Sequence, residues 1–141
     1  RLGYAISTGP RLSKWQSWRD PWPLNSLAAA TGSMLMRNKP ELIRWTKKIH
    51  AWVLKEGAWL HSELKDLPGI QAHPSCTNFQ LIEGKGSLIP LRQELAKQYI
   101  LLRDCRSFED LNENWLRISL QTRQDNKRII STMRKVIQSF A

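Results

Sequence analysis

The chain has 141 residues, 41% of them hydrophobic and 24% charged, which is typical of a globular domain with one ordinary core. No apolar run approaches the roughly 18 residues that a membrane-spanning helix needs, so we expect no membrane partner. The net charge of +10 is scattered, with Lys47 and Lys48 as its longest basic run, so nucleic-acid binding through the arginines and the seven tryptophans is only a distant alternative.

The first residues form a short apolar pattern of their own. Residues 1–8 (RLGYAIST) are predicted as a buried strand. Because a lone strand exposes both edges and both faces, this strand is expected to belong to another sheet, formed by residues outside this sequence. The chain also begins inside this pattern without a methionine, which predicts that it is the C-terminal part of a larger protein.

Residues 9–24 are predicted to be irregular, because glycine and proline interrupt the periodic patterns there. The motif PWPLNS at residues 21–26 is predicted as a stiff, extended connector, since each proline restricts the residue before it. Asn25 or Ser26 would then cap a helix through residues 27–30, because a side-chain oxygen at that position accepts hydrogen bonds from free backbone N–H groups.

A long helix is predicted after Asn38, with Asn38 as N-cap and Pro40 in the first turn. Its apolar side chains recur at helical spacing, and it should end before Pro68. The patterns that follow predict a half-buried strand at 77–82, a helix at 88–99 capped by Ser87, and a short strand at 100–103. A polar loop at 106–114 and a strand at 115–120 should come next. A capping box of Thr122 and Asp125 then predicts the start of a final helix.

The order of the elements after residue 37 defines the predicted fold class. Helix, strand, helix, strand, strand, helix is the order of an α/β sandwich, here an α+β small domain whose small sheet packs against helices. We therefore predict two domains. Residues 1–37 would be the remnant of a large domain with its connector, and residues 38–141 would be the C-terminal small domain.

Three arginines lie beside predicted strands: Arg1, Arg103 and Arg117. An arginine guanidinium is a rigid, permanently charged fork that fits a carboxylate or a phosphate in two-point contact. The pattern predicts a site for a small anionic ligand, built from distant parts of the chain. Simpler interpretations remain open: Arg1 or Arg117 as a surface charge, and Arg103 in an ion pair with Asp104.

The other chemically versatile side chains predict no further site. His50 and His61 lie eleven positions apart without a converging carboxylate or thiol, so no metal site is predicted. Cys76 and Cys105 lack metal-ligand spacing and are expected to be buried thiols in a reduced, cytoplasmic setting. Lys14 precedes a tryptophan-rich loop and is interpreted as a surface residue.

Three motifs resemble, in the same order, the C-terminal part of fold-type I pyridoxal-phosphate enzymes, and among these the histidinol-phosphate aminotransferase group. They are RLGYA at residues 1–5, PWPLNSLA at 21–28 and WLRIS at 115–119. The resemblance implies pyridoxal phosphate as cofactor, a missing N-terminal large domain and a homodimeric complete enzyme. It also implies that Arg1 binds the cofactor phosphate, that Arg117 binds the substrate carboxylate, and that Arg103 helps to hold the substrate's anionic groups.

One branch of that family is similar in further detail. Threonine-phosphate decarboxylases of cobalamin biosynthesis resemble the chain at residues 101–105 (LLRDC), Phe108, Leu111, Trp115 and Arg117. This implies decarboxylation of a small phosphorylated amino acid, L-threonine O-3-phosphate, to aminopropanol phosphate, with histidinol-phosphate aminotransferase of histidine biosynthesis as the alternative. The family's Schiff-base lysine would precede residue 1, so no catalytic residue is assigned in this chain, which alone is expected to be inactive.

Overall fold

The computed structural model describes residues 3–140, in which five helices and four strands occur. The chain divides into two compact units, residues 1–48 and residues 49–141. The predicted domain boundary after residue 37 concerns the complete enzyme and stays a prediction. The elements are α1 Gly9–Gln16, α2 Ser26–Arg37, α3 Lys39–Lys65, β1 Ile70–Ala72, β2 Phe79–Gly84, α4 Ile89–Lys97, β3 Arg103–Asp104, β4 Trp115–Ser119 and α5 Arg123–Ser139.

The start of the first unit differs from its prediction. Residues 3–8 form no strand and are almost entirely exposed, while residues 1 and 2 lie outside the described part of the chain. A strand forms only where its backbone N–H and C=O groups find a partner, and no described strand pairs with residues 3–8. The irregular segment predicted at 9–24 is also wrong in part, because α1 begins there with Pro10 in its first turn, where the missing N–H has no cost.

The remaining helix starts of the first unit follow their predicted caps. The Asn25 side chain accepts hydrogen bonds from Leu27 N at 2.9 Å and Ala28 N at 3.2 Å, and α2 continues beyond its predicted end to Arg37. The Asn38 side chain accepts from Glu41 N at 3.4 Å where α3 begins. Both caps satisfy backbone donors that helix geometry leaves free.

The second unit contains one antiparallel sheet with strand order β1-β2-β4-β3. Strand β1 was not predicted, and the strand predicted at 100–103 is wrong except at Arg103. Helix α4 ends with Tyr99 in the left-handed conformation, with Tyr99 N donating to Ala96 O and Ile100 N donating to Leu95 O. These two backbone hydrogen bonds close the C-terminal end of α4. Because Ile100 donates one of them, the chain at residue 100 completes the helix end instead of pairing in the sheet.

The core of the second unit lies on one face of the sheet. Ile82 on β2 and Leu116 and Ile118 on β4 are buried there in one cluster with side chains of α3, α4 and α5. Burying an aliphatic side chain contributes about 1.5–3 kcal/mol, so this cluster is the main source of the unit's stability. The predicted fold class, a small sheet packed against helices, is confirmed.

An ion pair links α3 to the start of α5. Arg123 Nε donates to Glu56 Oε2 at 2.7 Å and Arg123 Nη2 donates to Glu56 Oε1 at 3.1 Å, while the guanidinium lies 4.3 Å from the Trp59 ring centroid. Thr122 caps the same helix by accepting from Asp125 N at 3.2 Å, as predicted.

No helix within residues 3–140 has the length and apolar character to cross a membrane.

Candidate functional site

Two of the three predicted arginines are neighbours in the sheet. Arg117 lies in the middle of β4, Arg103 begins β3, and the two residues are direct partners in the antiparallel register. Side chains of such partners project from the same face with Cβ atoms roughly 4.5–5.5 Å apart. Arg1, the third predicted site residue, lies outside the described residues. The fold therefore brings two guanidinium groups to one place on the sheet.

The Arg117 guanidinium is surrounded by aromatic rings. Its Cζ atom lies 4.7 Å from the ring centroid of Phe79 and 5.9 Å from that of Phe108. Its Nε is buried and has no hydrogen-bond partner within residues 3–140. A buried donor left in this state costs about 1–3 kcal/mol, and a ligand carboxylate or phosphate oxygen would recover that cost. The simpler interpretation of Arg117 as a solubilising surface charge does not fit these surroundings.

Arg103 is more exposed and has a different partner from the one predicted. Its Nη2 donates to Ser107 Oγ at 3.2 Å, and its Cζ lies 5.7 Å from the Phe108 ring centroid. The ion pair considered between Arg103 and Asp104 is wrong, because Asp104 binds Arg106 instead, with Nε contacts at 3.1 and 3.0 Å and an Nη2 contact at 2.6 Å. The Arg103 fork thus keeps donors available for a ligand.

The bonds from Arg106 also set the charge state of Asp104. The side-chain hydrogen bonds from Arg106, with a backbone N–H bond at 3.0 Å, lower the pKa of Asp104 to about 2. The same side-chain bonds raise the pKa of Arg106. Asp104 is therefore ionised and fully engaged at neutral pH, so it does not neutralise the neighbouring Arg103.

The two cysteines have different environments. Cys105 is buried, as predicted, and burial raises the pKa of its thiol, although the positive charge of Arg117 acts in the opposite direction. Its Sγ lies 3.7 Å from Arg103 O. Cys76 is exposed, so its prediction as a buried thiol is wrong, because it lies in the loop between β1 and β2 and not on a core-facing strand position. Cys105 contributes a neutral thiol beside the arginines.

The sheet face that carries Arg117 holds a second cluster of side chains. The His73 ring stacks on Trp115 with centroids 4.9 Å apart, and His73 Nε2 lies 3.2 Å from Glu83 Oε2. The sequence patterns missed this cluster and also missed the contacts of Phe79 and Phe108 with the arginines. The alternation of β2 indicates a face for Phe79, but only the register with β4 shows which residues lie beside it.

A cleft of about 290 Å³ adjoins the two arginines, in a range that suits a small ligand. It lies where the chain after α4 separates from β4, and its lining includes Ser119 and Arg128 as well as Arg103 and Arg117. Two guanidinium groups beside a cleft of this size can bind a small molecule that carries two anionic groups.

The other residues considered from the sequence form no comparable site. Among residues 3–140, no three His, Cys, Asp or Glu side chains are grouped in a way that could hold a metal ion, and this includes His50 and His61. Lys14 is exposed on α1 with its Nζ 5.3 Å from the Trp18 ring centroid. That contact is consistent with its interpretation as a surface residue.

Comparison with known proteins defines the class of protein. A sequence model of the family "aminotransferase class I and II" matches residues 1–133. The chain belongs to this family. The family and the relatives found are enzymes that depend on pyridoxal phosphate, which confirms the predicted cofactor class.

Two curated relatives are similar to a comparable degree. The threonine-phosphate decarboxylase of Salmonella typhimurium is 27% identical over 142 residues, covering all of this chain and 38% of that protein. The histidinol-phosphate aminotransferase of Methanothermobacter thermautotrophicus is 26% identical over 141 residues, covering 98% of this chain and 37% of that protein. The chain thus spans less than two fifths of the length of these relatives.

A solved structure supports the assignment of the fold. The histidinol-phosphate aminotransferase from Clostridium acetobutylicum superposes with a TM-score of 0.75 at 22% identity, covering 90% of this chain and 37% of that one. The fold is that of the C-terminal part of fold-type I aminotransferase structures, as predicted. At this identity, the likeness concerns the fold and not the reaction.

Proposed function

We propose that this chain is the substrate-anion-binding part of a pyridoxal-phosphate-dependent L-threonine O-3-phosphate decarboxylase of cobalamin biosynthesis. The observation that carries the proposal is the pairing of Arg117, whose buried Nε has no acceptor among the described residues, with the adjacent Arg103. Arg117 would bind the substrate carboxylate, and Arg103 would help to hold the phosphate. A substrate with two anionic groups matches two neighbouring forks.

The described residues fit the substrate side of such a site. Pyridoxal phosphate, when bound in the complete enzyme, supplies an electron sink for the charge that remains after carbon dioxide leaves. By resemblance, Arg1 would hold the phosphate of the cofactor. Arg117 would fix the carboxylate so that its bond to Cα has the required orientation, and the rings of Phe79 and Phe108 would keep water from the guanidinium.

The remaining parts of the active site would come from outside this chain. The Schiff-base lysine and the aspartate that pairs with the pyridine nitrogen belong, by resemblance, to the large domain that the relatives contain. We propose that the 141-residue chain is inactive alone and that the complete enzyme is a homodimer without a nucleic-acid partner. Its product, aminopropanol phosphate, would serve cobalamin biosynthesis.

Histidinol-phosphate aminotransferase is the second candidate, because the similarity to both kinds of relative is nearly the same. The Arg-Asp-Cys sequence at residues 103–105 favours the decarboxylase, since it resembles that branch of the family. The two-arginine site by itself fits either enzyme, because 2-oxoglutarate, the amino acceptor of the transferase, also carries two anionic groups.

The complete enzyme that contains this chain provides the test. We expect it to release carbon dioxide from L-threonine O-3-phosphate. The Arg117→Gln variant should lose about 10²–10³-fold in kcat/KM, because it lacks the guanidinium group that would bind the substrate carboxylate. The charge-matched control Lys127→Gln, at an exposed position of α5, should keep its activity. Transfer of an amino group from histidinol phosphate to 2-oxoglutarate without carbon dioxide release would favour the second candidate instead.

A further inference from the structure

The ring of Phe108 lies close to both arginines of the site. Its centroid is 5.7 Å from Arg103 Cζ and 5.9 Å from Arg117 Cζ, and the second ring on Arg117 is Phe79 at 4.7 Å. A guanidinium is attracted to an aromatic face at such distances, and more strongly where water is excluded. Phe108 is therefore the one side chain in these cation–π contacts that is common to both forks.

The loop that carries Phe108 has a defined conformation. Asp104 accepts from the Arg106 backbone N at 3.0 Å and also holds the Arg106 side chain by two-point contact. Phe108 N then donates to Cys105 O at 3.0 Å, which closes a turn directly after β3. The Asp104–Arg106 pair thus fixes the turn whose last residue is Phe108.

We propose that Phe108 is a positioning residue that orients the guanidinium groups of Arg103 and Arg117 toward one doubly anionic ligand. The Asp104–Arg106 pair acts through the turn by holding Phe108 in place. An arginine side chain that is already oriented loses less rotational freedom when its ligand binds, so the ring raises affinity without touching the ligand. This inference rests on the proposed function, because it takes the two arginines to be the substrate-anion site.

The test measures the KM of the complete enzyme that contains this chain for L-threonine O-3-phosphate, with kcat recorded beside it. We expect Phe108→Leu to raise the KM by about 3- to 30-fold, the range that cation–π contacts support, and Phe108→Tyr to keep the KM within about 2-fold of the parent enzyme. Asp104→Asn should weaken binding in the same direction, by a smaller factor. The control is Phe140→Leu at the exposed end of α5, which should leave the affinity unchanged.

Nuclear magnetic resonance of the same variants without ligand provides a second measurement. Its result would stay unchanged if Phe108 only supported the fold of the loop. The order parameter of the Arg117 Nε–H group should fall in Phe108→Leu and keep its parental value in Phe108→Tyr, because the ring that orients the side chain is lost only in the first variant, while amide resonances of the core strands keep their positions. Because Phe108 is 42% exposed, its replacement leaves the core intact.

Three outcomes separate this inference from the proposed function. Loss of binding in Arg117→Gln with weaker binding in Phe108→Leu supports both. Loss of binding in Arg117→Gln with parental affinity in Phe108→Leu overturns the positioning role and leaves the proposed function standing. Parental affinity in Arg117→Gln, or no turnover of L-threonine O-3-phosphate by the complete parent enzyme, overturns the assignment of the substrate site and the positioning role with it.

Discussion

The two compact units differ in how their side chains are buried. Within residues 3–48 no side chain is buried, and Trp22 and Leu27 are 91% and 77% exposed. Within residues 49–140 a continuous cluster is closed to solvent, with Leu60 and Leu116 at 0%. The helices of the first unit are therefore specified by local signals such as caps and proline, whereas the second unit is held by contacts between distant parts of the chain.

This difference matters for the site. Arg117 belongs to β4, whose other face is packed into the core of the second unit, and Arg103 on β3 pairs directly with it. Functional groups on packed strands keep their geometry better than groups on elements without a core. The first unit instead exposes apolar side chains such as Met34 and Met36, and surfaces of that kind promote association between molecules.

The largest expected effect comes from removing a core side chain of the second unit. Leu116→Ala should lower the free energy of unfolding by about 2–5 kcal/mol, because a large buried side chain is lost and a cavity remains. Urea unfolding followed by circular dichroism measures this change. The matched control is Leu27→Ala on α2, which should stay within about 0.5 kcal/mol of the parent chain. Equal losses in both variants would contradict the contrast between the units.

The ion pair of Glu56 with Arg123 should give a smaller, pH-dependent effect. The hydrogen bonds from Arg123 lower the pKa of Glu56 from its ordinary value of 4.5, with burial acting in the opposite direction. Because the folded pKa is lowered, the stabilisation is complete above the unfolded value and is lost as the pH falls through the folded value. We therefore expect Glu56→Gln to lower the midpoint of urea unfolding at pH 7.

The difference in urea midpoint between the parent chain and Glu56→Gln should become smaller in acid. The gap in urea midpoint between the parent chain and Glu56→Gln should be constant from pH 6 to pH 8 and should narrow below about pH 4.5. Glu109→Gln, at an exposed position in the loop after β3, serves as the control and should show no such narrowing. A gap that widens in acid would show that the carboxylate does not stabilise the fold through this pair.

Local signals explain which parts of the fold were predictable. The caps Asn25, Asn38 and Thr122 act on backbone groups within three residues, so the sequence alone indicates where α2, α3 and α5 begin. Residues 3–8 show the opposite case. Their apolar pattern predicts a strand, but a strand also needs a partner, and that information is not in the local sequence.

The site was predictable in its parts but not in its arrangement. Arg103 and Arg117 stand out because arginine beside a strand suggests anion binding, yet their pairing follows from a register that the sequence does not reveal. The Asp104 carboxylate could reach either Arg103 or Arg106, and only the turn after β3 decides between them. Phe108, in a loop that is otherwise polar, gives no local sign that it contacts two arginines.

The smallest expected effect concerns a local cap in the first unit. Asn25→Ala removes the side-chain oxygen that accepts from Leu27 N and Ala28 N, which should destabilise the first turn of α2 by about 1 kcal/mol. Amide hydrogen exchange should accelerate at residues 27–30 and stay unchanged in β2 and β4, because the cap acts locally while the sheet has its own core. Ser26→Ala, one position further on, is the control. Faster exchange in the sheet as well would mean that the two units unfold together and that the first is not specified by local signals alone.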